Sequence, residues 1–303
     1  MPVSKRNSHP GVVVGVDGSS SAKLAVQWAA RDAELRDVPL TLVHVVPATA
    51  GSWLDASSIP EWMRRQREHG QQVIDEALQL AGDSCQRGSA QINCEMPAAI
   101  TVPALVDLSR DADLVVVGCL GTGTLRGRHL GSISAGLVHH ARCPVAVIHD
   151  GIQIKDDSEA PVLLGVDGSP ESELATAIAF EEASRREVEL VALHAWHPLG
   201  CFDDIISLSG PKWSELRASE DEILAERLAG WAERYPDVSV HRQVVRDDPA
   251  HQLVDASQWA QLVVVGSHGQ GGFAGMLLGS VSSAVVLLAQ VPVIVAREAL
   301  AAS

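Results

Sequence analysis

The chain has 303 residues, of which 46% are hydrophobic, 20% are charged and 4% are aromatic. Because a typical domain takes about 100–200 residues, this length predicts two domains that each form their own core. The net charge of −15 disfavours a general nucleic-acid-binding or membrane-surface protein, because an acidic surface repels phosphate groups. It leaves open a nucleotide ligand held by backbone N–H groups.

The first ten residues, MPVSKRNSHP, lack the apolar stretch of a secretory signal. No apolar run reaches the roughly 18 residues that a membrane span requires. The five cysteines are scattered and include no C-x-x-C pair, which disfavours a disulfide framework and a zinc site. We therefore expect a cytoplasmic protein without a membrane or nucleic-acid partner.

The predicted elements alternate between short strands rich in Val, Ile and Leu and amphipathic helices. In chain order, the first half contains strand Val12–Val16, helix Ser20–Arg36, strand Leu40–Val46, helix Glu61–Leu80, strand Gln91–Glu95, helix Val102–Arg110, strand Leu114–Gly118, helix Ser132–Ala141 and strand Val145–Ile148. The second half contains strand Val162–Val166, helix Pro170–Arg186, strand Glu189–Ala195, helix Lys212–Arg234, strand Ser239–Val244, helix Ala250–Gln258, strand Leu262–Gly266, helix Ser280–Ala289 and strand Val293–Ala296.

The two halves also resemble each other in sequence. Val12–Val46 aligns with Val162–Trp196, and Leu130–Ile148 aligns with Leu278–Ala296. This similarity predicts a tandem duplication, with domains at residues 1–150 and 151–303 joined by the polar stretch Asp150–Ala160. Strands of this composition are typical of a parallel sheet covered by helices on both faces. We predict an α/β fold of two tandem Rossmann-like, doubly wound domains, each with a five-stranded parallel sheet of order 3-2-1-4-5.

The first strand of each half ends in Val-Asp-Gly-Ser, which contains Asp17 or Asp167. In an open parallel sheet, ligands bind beyond the carboxyl ends of the strands where the winding reverses, here between the first and fourth strands. An Asp at this position can accept hydrogen bonds from ribose hydroxyls or help to place a metal. It can also cap the next helix, a role for which Ser19 competes. The repetition of the motif favours ligand contact.

The fourth strand of each half is followed by a G-x2-G-x9-G-S loop. The loop residues are Gly118, Gly121, Gly131 and Ser132 in the first half, and Gly266, Gly269, Gly279 and Ser280 in the second. Glycines let a backbone approach a polyphosphate closely, and the final Gly-Ser begins a helix whose N–H groups and dipole favour an anion. The repeated spacing predicts a phosphate site without a lysine, and the alternative is a glycine-rich surface loop.

These loops, the Val-Asp-Gly-Ser turns and the Pro-Val-x-Val segments at Pro144 and Pro292 resemble universal stress proteins of the ATP-binding type. The resemblance covers about Gly11–Ile148 and Pro161–Arg297 and is to the tandem kind common in actinobacteria. It implies ATP in each half, with Mg²⁺ held by phosphate oxygens and water. The nucleotide-contacting residues that it implies are Asp17, Gly18, Val45, Gly118, Gly121, Gly131, Ser132 and Ile133, and then Asp167, Gly168, Ala195, Gly266, Gly269, Gly279, Ser280 and Val281.

The resemblance also implies a homodimer formed through the terminal strands Pro144–Ile148 and Pro292–Ala296. The second loop departs from the family pattern because Gln270 stands where Arg is frequent, and that loop contains no Lys or Arg. The first loop contains Arg126 and Arg128, which either reach phosphate or lie on a solvated surface. The two sites can therefore differ in nucleotide affinity.

The function implied by the resemblance is regulatory: nucleotide occupancy controls conformation or partner binding in a stress response or growth arrest. The alternatives are a slow ATP hydrolase and a scaffold with empty sites. The sequence contains no Walker P-loop and no G-x-S-x-G elbow, and the first turn of each half does not supply a dinucleotide-binding G-x-G-x-x-G. His44 and His194 recur at equivalent positions, where packing or hydrogen bonding is a commoner role than ligand binding.

Overall fold

A computed structural model describes residues 9–48, 57–85, 91–121, 130–151, 159–195, 213–270 and 277–297 of the chain. The chain divides into two compact units, the first of Met1–Ile154 with Arg297–Ser303 and the second of Lys155–Ala296. None of the helices in the described ranges combines the length and apolar character that crossing a membrane requires.

The first unit alternates strands and helices along its described residues. Its elements are β1 (Val12–Gly15), α1 (Ser20–Arg36), β2 (Leu40–Val43), β3 (Val46–Pro47), α2 (Ile59–Ser84), β4 (Ile92–Glu95), β5 (Ala98–Ala99), α3 (Thr101–Leu108), β6 (Leu114–Gly118), α4 (Ser132–His140) and β7 (Val145–Ile148). Its main strands pair in the order β4-β2-β1-β6-β7, and every pair is parallel.

The second unit repeats this plan. Its elements are β8 (Val162–Gly165), α5 (Pro170–Arg185), β9 (Leu190–Ala195), α6 (Trp213–Arg234), β10 (Val240–Val245), α7 (Pro249–Ser257), β11 (Leu262–Gly266), α8 (Ser280–Leu288) and β12 (Val293–Ala296). Its strands pair in the parallel order β10-β9-β8-β11-β12. The predicted order 3-2-1-4-5 is therefore confirmed in both units.

The core lies along the central strands of each unit. The side chains of Val12–Val14 in β1 and Leu114–Val116 in β6 are fully buried, as are all four residues of β7. Both faces of these strands are covered, so their sequences show no polar alternation. The carboxyl ends of β1 and β6 then lie side by side, which is where the repeated polar motifs begin.

One small sheet was not predicted from the sequence. β3 and β5 form a separate parallel pair in which Val46 lies opposite Ala98 and Pro47 opposite Ala99. The predicted strand Leu40–Val46 is wrong at its end, because the main-sheet strand stops at Val43. Two-residue strands carry no periodicity of their own, so this pair leaves no signal in the sequence.

The units differ in the layer between their first two helices. In the second unit, the rings of Phe180, Trp231 and Tyr235 lie together with centroids 5.9–6.5 Å apart. Ala30 aligns with Phe180. Two further buried alanines, Ala77 and Ala81, lie four and eight residues after Val73, as Trp231 and Tyr235 lie four and eight residues after Arg227. The first unit therefore has alanines at the positions where the second has these three aromatic rings.

Candidate functional site

A pocket of about 360 Å³ lies at the carboxyl ends of β1, β2 and β6 in the first unit. Because β1 lies between β2 and β6, the pocket has a floor from the end of β1 and walls on two sides. One wall comes from the segment after β2 and from the start of α3. The other comes from the segment after β6 and from the start of α4. This is the edge of the sheet at which open parallel folds bind ligands.

The pocket collects seven of the eight residues predicted for the first half. These are Asp17, Val45, Gly118, Gly121, Gly131, Ser132 and Ile133. The eighth, Gly18, is not among the lining residues. Its φ of +82° lies in the left-handed region, and a Cβ on it would point at Val73 of α2. Gly18 therefore turns the chain behind the pocket.

Asp17 and Ser19 make different hydrogen bonds at the start of α1. The Ser19 hydroxyl caps the helix by accepting a hydrogen bond from the Ala22 N–H at 3.2 Å. Asp17 Oδ1 accepts a hydrogen bond from the Ser19 N–H at 3.0 Å. Ser19 is thus the residue that caps α1, and Asp17 lines the pocket.

The residues at the two ends of the first unit's glycine loop contact the starts of α1 and α4. A Cβ on Gly118 would lie 2.7 Å from the Ser21 backbone, so this glycine permits close packing of β6 against the start of α1. The Gly131 N–H donates to the Cys119 carbonyl at 2.7 Å, and the Ser134 hydroxyl donates to the same carbonyl at 3.0 Å. The loop therefore holds the start of α4 beside the end of β6.

The first turn of α4 opens toward the pocket. Its N-cap is Gly131, which has no side chain to cap the helical N–H groups. Ser132, Ile133 and Ser134 all line the pocket. The first N–H groups of a helix lack partners within the helix and carry the positive end of its dipole. This wall of the pocket therefore favours an anion.

The opposite wall is more apolar and includes residues that were not predicted as site residues from the sequence. Val43, His44, Thr101 and Leu105 line the pocket together with the predicted Val45. His44 Nδ1 lies 2.8 Å from the Val16 carbonyl oxygen, and a Cβ on Gly70 of α2 would collide with its ring. In the sequence, the repetition of this histidine as His194 was the signal that could have pointed to His44. In the structure both side chains lie at hydrogen-bonding distance from a backbone carbonyl, which is one of the two roles expected for them.

The second unit carries the same motif residues at the same ends of its strands. Gly168 has a φ of +80°, Ala195 ends β9, and Gly266 ends β11. Gly279 is the N-cap of α8, with Ser280 and Val281 in its first turn, and its N–H donates to the Ser267 carbonyl at 2.8 Å.

The hydrogen bonds of Asp167 come partly from its own loops. Its Oδ1 accepts hydrogen bonds from the Ser169 N–H at 3.0 Å and the Ser169 hydroxyl at 2.7 Å. Its Oδ2 accepts one from the Gln270 N–H at 2.9 Å. Gly269 lies directly beside this carboxylate, because a Cβ on Gly269 would overlap Oδ2.

The described residues can also be examined for thiol and metal chemistry. Cys119 is buried, and burial raises the pKa of its thiol, which disfavours the reactive thiolate. In the described ranges, no group of three or more His, Cys, Asp and Glu side chains is placed to hold a metal ion. Arg126, Arg128 and Trp196 lie outside the described residues.

The comparisons with known proteins follow this division of the chain. The model of the universal stress protein family matches residues 11–149 and again 160–297. The universal stress protein Rv2623 of Mycobacterium tuberculosis is 54% identical over 300 residues, with 98% of this chain and 100% of that protein covered. The universal stress protein Rv2005c of the same species is 50% identical over 298 residues, with the same coverage.

A solved structure supports the fold. A universal stress protein from Archaeoglobus fulgidus superposes with a TM-score of 0.68 at 19% identity, covering 95% of this chain and 98% of that chain. At this identity the likeness shows the shared fold alone. The family model and the two mycobacterial relatives cover both halves, and the chain therefore belongs to the universal stress protein family as a tandem, two-domain member.

Proposed function

We propose that the first unit binds ATP in its pocket and that occupancy controls conformation or partner binding during a stress response or growth arrest. The stress-response role follows from family membership. The single observation that carries the ATP proposal is the convergence of Asp17, the apolar wall after β2 and the start of α4 on one pocket. Its volume of about 360 Å³ falls within the range of small-molecule sites, about 300–1,000 Å³.

The phosphates would lie at the glycine and serine wall. Gly121, Gly131 and Ser132 place backbone and hydroxyl groups there, and no side chain caps the first turn of α4. Helix N-termini of this kind bind phosphate without a cationic side chain. This arrangement is compatible with the acidic composition of the chain.

The base would lie at the other wall, between Val45 and Leu105, and the ribose would lie near Asp17 in the middle. A carboxylate accepts hydrogen bonds from hydroxyls, which is what a ribose offers. Mg²⁺ would be held by phosphate oxygens and water, because Mg²⁺ in nucleotide sites commonly keeps several waters and binds few protein groups. Asp17 is the one acidic side chain that lines the described pocket.

The proposal extends to ATP in the second unit, to a homodimer and to a cytoplasmic location. Support for the second site is the repeated motif, and support for the dimer is the family resemblance. Support for the cytoplasm is the state of the cysteines, since Cys85, Cys94, Cys119 and Cys143 are all free thiols. Light scattering on a size-exclusion column would show a mass of two chains if the dimer forms.

The ATP proposal is tested by two measurements on the purified chain. Acid extraction followed by nucleotide chromatography would detect a carried nucleotide, and titration calorimetry with ATP and Mg²⁺ would detect binding after its removal. We expect adenine nucleotide in the extract and a saturable heat of binding. A chain that carries no nucleotide and gives no binding heat at millimolar ATP would refute the proposal.

A further inference from the structure

The described residues contribute six polar side chains to the pocket of the first unit, and these differ in what they already contact. The four that are hydrogen-bonded to other residues of the unit are Asp17, Ser19, His44 and Ser134. The other two are Ser132 and Thr101, whose hydroxyls form no hydrogen bond with another residue in the described part of the chain. These two hydroxyls are therefore available to a ligand.

The two available hydroxyls lie on opposite walls of the pocket. Ser132 is in the first turn of α4, at the wall proposed for the phosphates, whereas Thr101 begins α3 at the apolar wall. The side chains that share the apolar wall with Thr101 are those of Val43, His44, Val45 and Leu105. Because the His44 side chain already lies against a backbone carbonyl, Thr101 supplies the hydrogen-bonding group that this wall offers to a ligand.

An apolar wall that carries one hydroxyl suits a purine base. The two faces of a purine stack on apolar surface, whereas its edge carries ring nitrogens that accept hydrogen bonds and an exocyclic polar group. A hydroxyl can both donate and accept, so Thr101 Oγ1 can pair with either kind of group on that edge. Ligand sites commonly combine apolar surface with a few polar groups that fix the orientation of the ligand.

The second unit lacks this hydroxyl. Pro249 begins α7 of the second unit, as Thr101 begins α3 of the first. In both helices, the leucine four residues later lies beside the glycine that ends the first strand of the unit, at 3.4 Å and 3.0 Å from a Cβ placed on that glycine. The two positions therefore correspond, and a proline there has neither a hydroxyl nor an N–H to offer.

We propose that Thr101 is a base-contacting residue of the first nucleotide site and that its hydroxyl binds the edge of a purine base. This inference rests on the proposed function, in which the base lies between Val45 and Leu105. The hydroxyl of Thr101 orients the base at one wall, while Ser132 and the start of α4 bind the phosphates at the other. Without that hydroxyl, a polar group of the base is buried against apolar side chains with no partner, which weakens binding.

The test compares two substitutions of Thr101 in the full-length chain, with the second site weakened by Asp167→Ala. Thr101→Val keeps the shape of the side chain and removes the hydroxyl, whereas Thr101→Ser removes the methyl group and keeps the hydroxyl. In titration calorimetry with ATP and Mg²⁺, we expect Thr101→Val to weaken binding about two- to tenfold, the range of one ordinary hydrogen bond. Thr101→Ser should retain most of the affinity of its parent, and a role in packing alone would reverse this order.

The matched control is Thr41→Val, which removes a hydroxyl of the same unit that donates to the Pro10 carbonyl at 2.8 Å. Unchanged affinity of Thr101→Val, or an equal loss in Thr101→Ser or in Thr41→Val, would overturn the role of Thr101. Loss of all ATP binding from Asp167→Ala alone would overturn it too, because the first site would then bind none. If the chain without substitutions binds no ATP, the proposed function itself fails. Thermal melts of each variant and its parent establish that both are folded.

Discussion

Individual polar residues at the carboxyl edge of the sheet have separable roles. Ser19 caps α1, Asp17 receives the Ser19 N–H and lines the pocket, and His44 lies against the Val16 carbonyl. The sequence favoured ligand contact for Asp17 over helix capping because the motif repeats. In the structure the hydroxyl of Ser19 caps the helix, and ligand contact by Asp17 stays a prediction.

Replacement of Asp17 by alanine tests its role in the pocket. We expect Asp17→Ala to weaken ATP binding at the first site by about 10- to 100-fold, the effect of losing hydrogen bonds to a charged group. The melting temperature should change little, because the Ser19 cap remains. Titration calorimetry and thermal melts measure the two effects separately. Asp83→Ala, at an exposed position late in α2, is the control; a comparable loss of affinity there would contradict the assignment.

The cysteines provide a second test at this scale. Burial raises the pKa of Cys119 and raises that of Cys143 to about 12, so both thiols are protonated and enclosed at neutral pH. In the native protein at pH 7.5, we expect iodoacetamide to modify the exposed Cys94 before either of them. Peptide mass spectrometry would measure the order. Early labelling of Cys119 would show that the end of β6 opens readily.

The glycines that end β6 and β11 contact the first helix of their own unit. Gly118 and Gly266 were predicted as phosphate-contacting residues. A Cβ added to either glycine would point at the start of a helix. At Gly118 it would lie 2.7 Å from the Ser21 backbone of α1, and at Gly266 it would lie 2.9 Å from the Glu171 backbone of α5. We infer that each glycine lets a helix pack closely against the end of its strand.

Gly118→Ala tests this packing role. The added methyl group would push against the Ser21 backbone, and we expect the free energy of unfolding to fall by about 1–3 kcal/mol, together with weaker ATP binding. Gly230→Ala is the control, because a Cβ there meets no atom within 4 Å and the residue lies inside α6. That variant should gain about 0.5–1 kcal/mol. Chemical denaturation would measure both, and unchanged stability of Gly118→Ala would count against the packing role.

Much of the architecture could be predicted because each main element carries its own pattern. β6, β7, β11 and β12 have the predicted bounds, and α1 does as well. The pair β3–β5 was missed because two residues show no period. His44, Thr101 and Leu105 reach the pocket through tertiary packing rather than local sequence. A Cβ on Gly15, at the end of β1, would for example lie 3.4 Å from Leu105 of α3. The hydrogen bonds between Gln270 and Asp167 likewise could not be predicted from the spacing of the glycines, because they join residues that are 103 positions apart.

The whole chain combines two copies of one architecture. A single carboxylate, Asp17, lines the described pocket, and the Lys–carboxylate pair nearby, Lys23 with Glu76 at 2.6 Å, lies among exposed side chains. Rapid hydrolysis of ATP needs an oriented water and groups that stabilise the developing charge. Binding with slow turnover stays a prediction, and slow hydrolysis of ATP is the alternative to it.

A phosphate-release assay tests this preference. With saturating ATP and Mg²⁺, we expect turnover below about one per second, under the usual range for enzymes. Asp17→Ala serves as the reference for contaminating activity, because a true activity of the pocket should decrease in that variant. Faster turnover that disappears with Asp17→Ala would favour the hydrolase alternative.

The packing layer of Phe180, Trp231 and Tyr235 affects how a duplicated chain reaches its native state. The strand sequence Leu-Val-Val-Val-Gly occurs in both β6 and β11, so segments of one copy resemble the pairing partners of the other during refolding. Proteins with tandem repeats are prone to such misassembly. Ala30, Ala77 and Ala81 are buried in the first unit, whereas Phe180 packs against two further rings in the second, so the helices of the two copies differ in side-chain volume. We therefore expect side-chain volume to favour packing of each helix within its own copy, although the two copies share a strand sequence.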